Sequence, residues 1–308
     1  MLRVPQIAPN DPCPFCESGR GALECCMRGG LAEPIEAETR PRAPRTGFAH
    51  RDCYASALND CSPTITGEHY ISKSVLDELR LERKTILVTG FPWAQAPKAV
   101  GVAALTANVL CERHNTALSP LDTQAARLFR HFRAVEAALN AGAGNARVFG
   151  FPGADIERWL LKVLMGTASA GAARGLTGEG LAWSPPEMWC RILFGQVSFP
   201  RSWGVYVGGQ LGTPAGLDGK HVFVAPVTTE GAISGCVVGV ANFALMLAMT
   251  DVGPRRSGAL DEHSVYRPDC LRFTEPVSQT VQSLCFAWTR GVKGGGEVEL
   301  TWRAPPTP

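Results

Sequence analysis

Apolar positions recur with helical spacing in three stretches of the chain and with strand-like spacing through its last third. Ser74 to Leu81 has the pattern of a short amphipathic helix and follows a brief strand, Thr64-Ile65-Thr66, that runs into a Glu-His pair. Leu121, Ala125, Leu128, Phe132, Val135 and Leu139 alternate by four and three, which predicts a helix over 121–140 with one buried face. A third helix is expected over about 155–170, with Asp155 near its N-cap and Trp159, Leu160, Val163 and Leu164 inside. From Trp189 onward, runs such as "KHVFVAPVT", "AISGCVVGV", "LCFAWTRGV" and "GEVELTW" are β-rich and broken by Gly and Pro. The Gly-rich "GVKGGGEVE" reads as a hairpin turn; no Lys-Ser/Thr and helix follow it, as a phosphate loop would require. The most apolar stretch, Ile233 to Thr250, contains Gly235, Gly239 and Asn242 and reads as buried strands with a turn, not a membrane span.

These patterns predict an α+β fold in four regions: a Cys-rich knuckle and linker over 1–46, a small mixed domain over 47–122, a helical segment over 123–175 and a β-rich C-terminal domain over 176–308. With 308 residues, 45% of them apolar, the chain can bury a sizeable core. A net charge of +2 rules out a polycation, so nucleic-acid binding would have to come from local patches. Two candidates exist. Arg40, Arg42 and Arg45 space a charged linker, either solvated or contacting phosphates; Arg127, Arg130 and Arg133 share a helix face, which reads as a solvated surface before a DNA-facing stripe. No apolar run follows Met1, which implies a cytoplasmic chain with reduced thiols and no membrane partner.

Of the 11 cysteines, seven precede residue 112, and clustering of that kind points to metal. Cys190, Cys236, Cys270 and Cys285 stand apart among apolar neighbours and read as small buried hydrophobes. In "CPFCESGRGALECC", Cys13-x-x-Cys16 can clamp Zn²⁺ on a tight turn, and Cys25 and Cys26 arrive one short hairpin later. The run resembles the SEC-C zinc motif, with Ser18-Gly19 at its turn and a first spacing one residue longer than usual. Four soft ligands would close the site, leaving it a structural role.

A second constellation runs from "HRDCYASALNDCSPTITGEHYIS" to "LTANVLCERHNTALSPLD". Over about residues 50–122 it resembles the HNH, or ββα-metal, endonuclease family. Glu68-His69 matches the acidic-His pair, Asn108 the loop-fixing Asn, Cys111-x-x-His114 the zinc half-site, and Asn115 the last metal ligand on the helix. The chain departs from the family pattern in having Glu for Asp, Asn for His, Ser at 119, and the widely spaced Cys53 and Cys61 in place of an upstream Cys-x-x-Cys.

The resemblance implies that His69 is the general base, that Glu68 and Asn115 hold a catalytic divalent ion such as Mg²⁺, and that Asn108 orients His69 through its backbone oxygen. It also implies a structural zinc at Cys53, Cys61, Cys111 and His114. The residue types suit that chemistry: an imidazole ionises near neutral pH, and hard oxygens favour Mg²⁺. The implied activity is metal-assisted hydrolysis of phosphodiester bonds in DNA, with a protein partner or target choice left to the C-terminal domain. Two rivals stand beside it. One is a non-catalytic, zinc-stabilised module that binds nucleic acid or protein. The other is an enzyme whose site lies in the β-rich region, although neither His221 and His263 there nor His131 on the basic helix face forms a recognisable set.

Overall fold

The strand carrying Glu68-His69 pairs with the strand carrying Cys111. In a computed structural model, which describes residues 12–15, 20–21, 36–79, 85–94, 96–142, 146–172, 183–208, 221–241, 243–250, 264–288 and 294–302, β1 (Ile65–His69) runs antiparallel to β4 (Thr106–Cys111). Ile65 faces Cys111 and His69 faces Thr106, with a bulge between Thr66 and Glu68. Such a bulge bends a strand and re-aims the side chains that follow it. Between the two strands the chain forms α1 (Lys73–Leu79), β2 (Thr85–Thr89) and β3 (Lys98–Gly101).

β4 passes directly into α2 (Glu112–Asn140), a 29-residue helix that contains Pro120. The helix expected to start at 121 is therefore the continuation of one that begins at 112, and the division expected at 122 falls inside it. Pro120 removes one backbone donor, but Leu118, Leu121, Ala125 and Leu128 form an unbroken buried stripe across it. That burial, about 1.5–3 kcal/mol for each large side chain, outweighs the lost hydrogen bond.

After β5 (Arg147–Pro152), α3 (Gly153–Ser169) packs against α2, β4 and β5. It also touches α4 (Glu187–Leu193), β8 (Ala232–Val240) and β9 (Phe243–Ala248). It is buried along nearly its whole length, so Asp155, Glu157, Arg158 and Lys162 are inside along with the expected Trp159 and Leu160. Each buried charge has a partner: Arg158 meets Asp155 at 2.6 Å and Arg267 meets Glu157 at 2.7 Å, and Lys162 is described below.

Two larger sheets complete the fold. The first orders β10 (Val265–Tyr266), β6 (Gly204–Val207), β9, β8, β7 (His221–Thr229), β2 and β3; the second orders β13 (Glu297–Thr301), β11 (Cys270–Thr274), β12 (Val281–Ala287) and β5. The expected strands after residue 200 are present, and Ile233 to Thr250 forms the antiparallel pair β8–β9. Both sheets, however, are completed by earlier segments. β2 lies parallel to β7, and β5 parallel to β12, so strand pairing crosses the division expected at 175. The expected hairpin between β12 and β13 does not form, because β13 pairs in parallel with β11 on its far side.

Phe132 stacks on Phe243 at 4.8 Å, and Phe129 lies 5.5 Å from Trp159, joining α2, α3 and β9 in one core. Cys190 and Cys236 are buried and free, as expected. Cys270 and Cys285 are not isolated: they face one another across β11 and β12 and form a disulfide. Among the described residues no helix is long and apolar enough to cross a membrane.

Candidate metal centre and adjoining cleft

Cys53, Cys61, Cys111 and His114 come together from three segments. The first two flank a 3-10 turn at Ser56–Leu58, Cys111 ends β4, and His114 lies in the first turn of α2. All four are buried, and their ligand atoms lie within 4.8 Å of one another. His114 Nδ1 is 3.2 Å from Cys111 Sγ, 3.5 Å from Cys53 Sγ and 3.7 Å from Cys61 Sγ. Tetrahedral zinc, with bonds of about 2.3 Å to sulfur and about 2.0 Å to nitrogen, separates such atoms by about 3.5 Å. Three soft sulfurs and one imidazole at that spacing could bind a metal such as zinc.

The surroundings suit thiolates. Cys53 Sγ accepts from the Cys111 amide at 3.5 Å, and Cys111 Sγ from the Ser62 amide at 3.4 Å. Outside the ligands, Arg113 pairs with Asp60 at 3.0 Å. Asp60 in turn accepts from the Thr46 amide at 2.9 Å, and the Thr46 hydroxyl donates to the Cys61 carbonyl at 2.8 Å. These contacts tie the linker to the cluster, in the way that outer-shell partners orient metal ligands.

Beside the cluster is a cleft of about 410 Å³ whose walls include Glu68, His69, Asn115, Asp122 and Lys162. Three of the four residues expected to act there share this cleft; Asn108 does not line it. Asn108 is exposed on β4 with its Oδ1 over Gly67, and no hydrogen bond joins it to His69 among the described residues. The expected orienting role for Asn108 is therefore not borne by a contact.

Asn115 donates from Nδ2 to Thr66 Oγ1 at 3.0 Å, and that hydroxyl donates to the Leu110 carbonyl at 3.1 Å. The pair fixes the amide, and Asn115 lines the cleft. His69 is half-buried. Burial, with the positive charges of Lys162 and Lys73, holds its pKa below the ordinary 6.5.

Glu68 is more constrained than the sequence suggested. It is 3% exposed, and Lys162 Nζ, equally buried, lies 2.6 Å from its Oε1. The same ammonium lies 2.6 Å from Asp122 Oδ1. Ser72 also donates to Asp122, and Trp159 Nε1 donates to Ser72 at 2.8 Å. Burial alone would strip the Lys162 proton, but Asp122 and Glu68 raise its pKa and keep it charged. One cation thus bridges two carboxylates. Glu68 Oε2 and Asp122 Oδ2 take no hydrogen bond from the described residues, so both remain as hard-oxygen donors.

Sequence reasoning missed Lys162, Asp122 and Ser72. Asp122 lies seven residues after Asn115, two turns along the same helix face, which is the one signal that could have found it.

Replacing Lys162 with methionine should destabilise the protein by about 3 kcal/mol, because it leaves the buried Glu68 carboxylate, beside the partly exposed Asp122, without a cation. Freed of the ammonium, Glu68, whose pKa burial already raises, would lie still further above its unfolded value. The deficit should therefore be largest near pH 7 and shrink as pH falls toward about 4, the unfolded carboxylate range. Urea unfolding of parent and variant at both pH values checks it.

The other sequence candidates are placed as follows. Cys13 is buried in a turn whose amide donates to the Arg20 carbonyl at 2.9 Å; Cys16, Cys25 and Cys26 lie outside the described residues. Arg130 pairs with Glu78 at 2.8 Å, Arg133 donates to the Glu78 carbonyl, and Arg127 donates to the Pro14 carbonyl at 2.8 Å. That helix face touches α1 and the Cys13 turn, with Arg130 still exposed. His221 bonds Thr89 at 2.8 Å and His131 stacks on Phe149 at 4.1 Å, both structural arrangements; His263 lies outside the described residues. Comparison with models of known families, with curated proteins and with solved structures gives no match to this chain.

Proposed function

We propose that the chain is a metal-dependent, HNH-like endonuclease that hydrolyses phosphodiester bonds in DNA. The observation that carries this reading is the convergence of His69, Glu68 and Asn115 on one cleft, directly beside the Cys53–Cys61–Cys111–His114 cluster. Glu68 and His69 come from β1 and Asn115 from α2, with β4 paired to β1 and leading into the helix, the order that a ββα-metal unit requires.

In this reading Cys53, Cys61, Cys111 and His114 would hold a zinc that ties the Cys53–Cys61 segment to the end of β4 and the start of α2. His69 accepts the proton of the attacking water; its lowered pKa keeps it neutral, and so able to accept, at neutral pH. The oxygens of Asn115, Glu68 and Asp122 fit a hard divalent cation such as Mg²⁺, which when bound offsets charge on the phosphate and leaving oxygen. Lys162 fixes the two carboxylates and cancels part of their charge.

One observation favours a second reading. The Glu68–Lys162–Asp122 bridge already satisfies the acidic residue, as a structural role for the Glu-His pair in a non-catalytic nucleic-acid- or protein-binding module would have it. Supercoiled plasmid separates the two. The zinc-loaded protein should nick it when Mg²⁺ is added and leave it intact when Mg²⁺ is omitted. Omission, not a chelator, is the right control, since a chelator would also strip the zinc. Intact plasmid at every Mg²⁺ and Mn²⁺ concentration would remove the nuclease reading.

A further inference from the structure

The four-residue cluster has a second face. His114 turns Nδ1 toward the sulfurs, so its other ring nitrogen, Nε2, points away from them. That nitrogen is buried and has no hydrogen-bond partner. A ring that ligates through Nδ1 carries a proton on Nε2, and metal-bound histidines almost always donate that proton to an acceptor. Here the described residues supply none.

His114 lines a cleft of about 400 Å³, separate from the His69 cleft, together with Arg40, Arg45, Asp60 and Gln196. Asp60 is neutralised by Arg113 and occupied by the Thr46 amide. Arg40 is anchored on the rim by a 3.2 Å bond to the Gly195 carbonyl, and Arg45 is exposed. The unneutralised charge among the lining residues is thus two guanidiniums, and His114, with its buried and orphaned Nε2, lines the same cleft. An acceptor-rich anion satisfies all three, and a phosphate presents enough oxygens to do so.

We propose that this cleft is an anion site that binds a phosphate through Arg40, Arg45 and His114 Nε2–H. On the nuclease reading, on which only the source of the phosphate rests, it is a backbone phosphate of the nucleic acid away from the bond being cut. His114 and Asn115 are neighbours in the first turn of α2, and they face the two clefts respectively. The metal cluster would then brace both contact points.

The test uses full-length, zinc-loaded protein carrying His69→Ala to prevent cleavage, with and without Arg40→Ala/Arg45→Ala. Both arginines are exposed, so unchanged zinc content and circular dichroism should certify the fold. Binding to a short duplex is followed by fluorescence anisotropy over a range of NaCl concentrations. Loss of one phosphate contact should make the log–log salt slope shallower by about 0.9; an unchanged slope overturns the site. If neither protein binds nucleic acid, the nuclease reading fails on its own, and inorganic phosphate decides the site. With histidine-selective ¹⁵N labelling, phosphate should shift the His114 Nε2–H resonance in the parent and not in the arginine variant. No shift in the parent, or the same shift in both, overturns the proposal.

Discussion

Emptying the Cys53–Cys61–Cys111–His114 site is expected to lower the melting temperature by about 10 °C or more, the consequence of losing roughly 4 kcal/mol from a chain of this size. The ligands come from three segments and sit at 0–2% exposure in the same core as Leu118, Trp159 and Phe194. Without a metal, four crowded ligand atoms must share protons among themselves. Hydrogen bonds from Cys53 and Cys61 hold the Cys111 thiol well below its ordinary range, while those same contacts push Cys53 up. Burial pulls His114 down, but Cys111 and Cys61 lift it to about 9. These directions favour an imidazolium beside a thiolate in the metal-free cluster, a costly buried arrangement that a dication with three thiolates would replace. Zinc binding near pH 7 should accordingly release protons, and affinity should weaken as pH falls. Cys61→Ser/Cys111→Ser separates this site from any metal held by the N-terminal cysteines: it should lose one zinc per chain and most of the chelator-sensitive melting shift. A parent whose melting is indifferent to chelation, with metal content unchanged in that variant, would sink the assignment.

The parts of the site that sequence shows are those set by short-range spacing. Cys111 and His114 are three apart at the start of a helix, Asn115 follows, and Glu68-His69 ends a strand. What spacing could not show is which residues meet them from elsewhere. Lys162 lies among Trp159, Leu160, Val163 and Leu164, where a lone lysine reads as the solvated side of an amphipathic helix. Its true position follows only from α3 being enclosed on all sides, and its partners are 94 and 40 positions away. The contacts of Arg127, Arg130 and Arg133 were hidden for a related reason: a basic helix face looks the same whether it meets water, phosphate or the carbonyls of a neighbouring segment. The β-rich runs were legible by composition, but their partners were not. The joins β2–β7, β5–β12 and β11–β13 are parallel, and parallel neighbours leave no turn signal between them. Two of those joins, β2–β7 and β5–β12, pair strands on either side of the division expected at residue 175.

Substituting His69 with alanine is expected to reduce Mg²⁺-dependent strand cleavage by about 10²–10⁴-fold, the usual contribution of a positioned general base. Stability should change little, within about 0.5 kcal/mol, because the ring is half-buried and makes no hydrogen bond among the described residues. Duplex binding should also persist, which distinguishes a chemical role from a structural one. The pH profile adds an independent check. Burial, Lys162 and Lys73 all favour the neutral imidazole, so the pKa that governs activity lies below 6.5. Cleavage should be level from pH 7 to 8 and fall tenfold per pH unit once pH drops through that value, since the protonated ring cannot accept a proton. Lys73→Ala removes one of the charges holding the pKa down, and should move the acidic limb toward higher pH without abolishing activity. Lys73 is itself paired with Asp77 at 2.6 Å, so that movement should be small. Asn115→Ala should behave differently from His69→Ala, raising the Mg²⁺ concentration needed for half-maximal cleavage while leaving the position of the limb unchanged. A His69→Ala protein that cleaves like its parent, or a parent whose acidic limb is absent, would take the base away from His69. The cleft would then have to do its work through Asp122 or not at all.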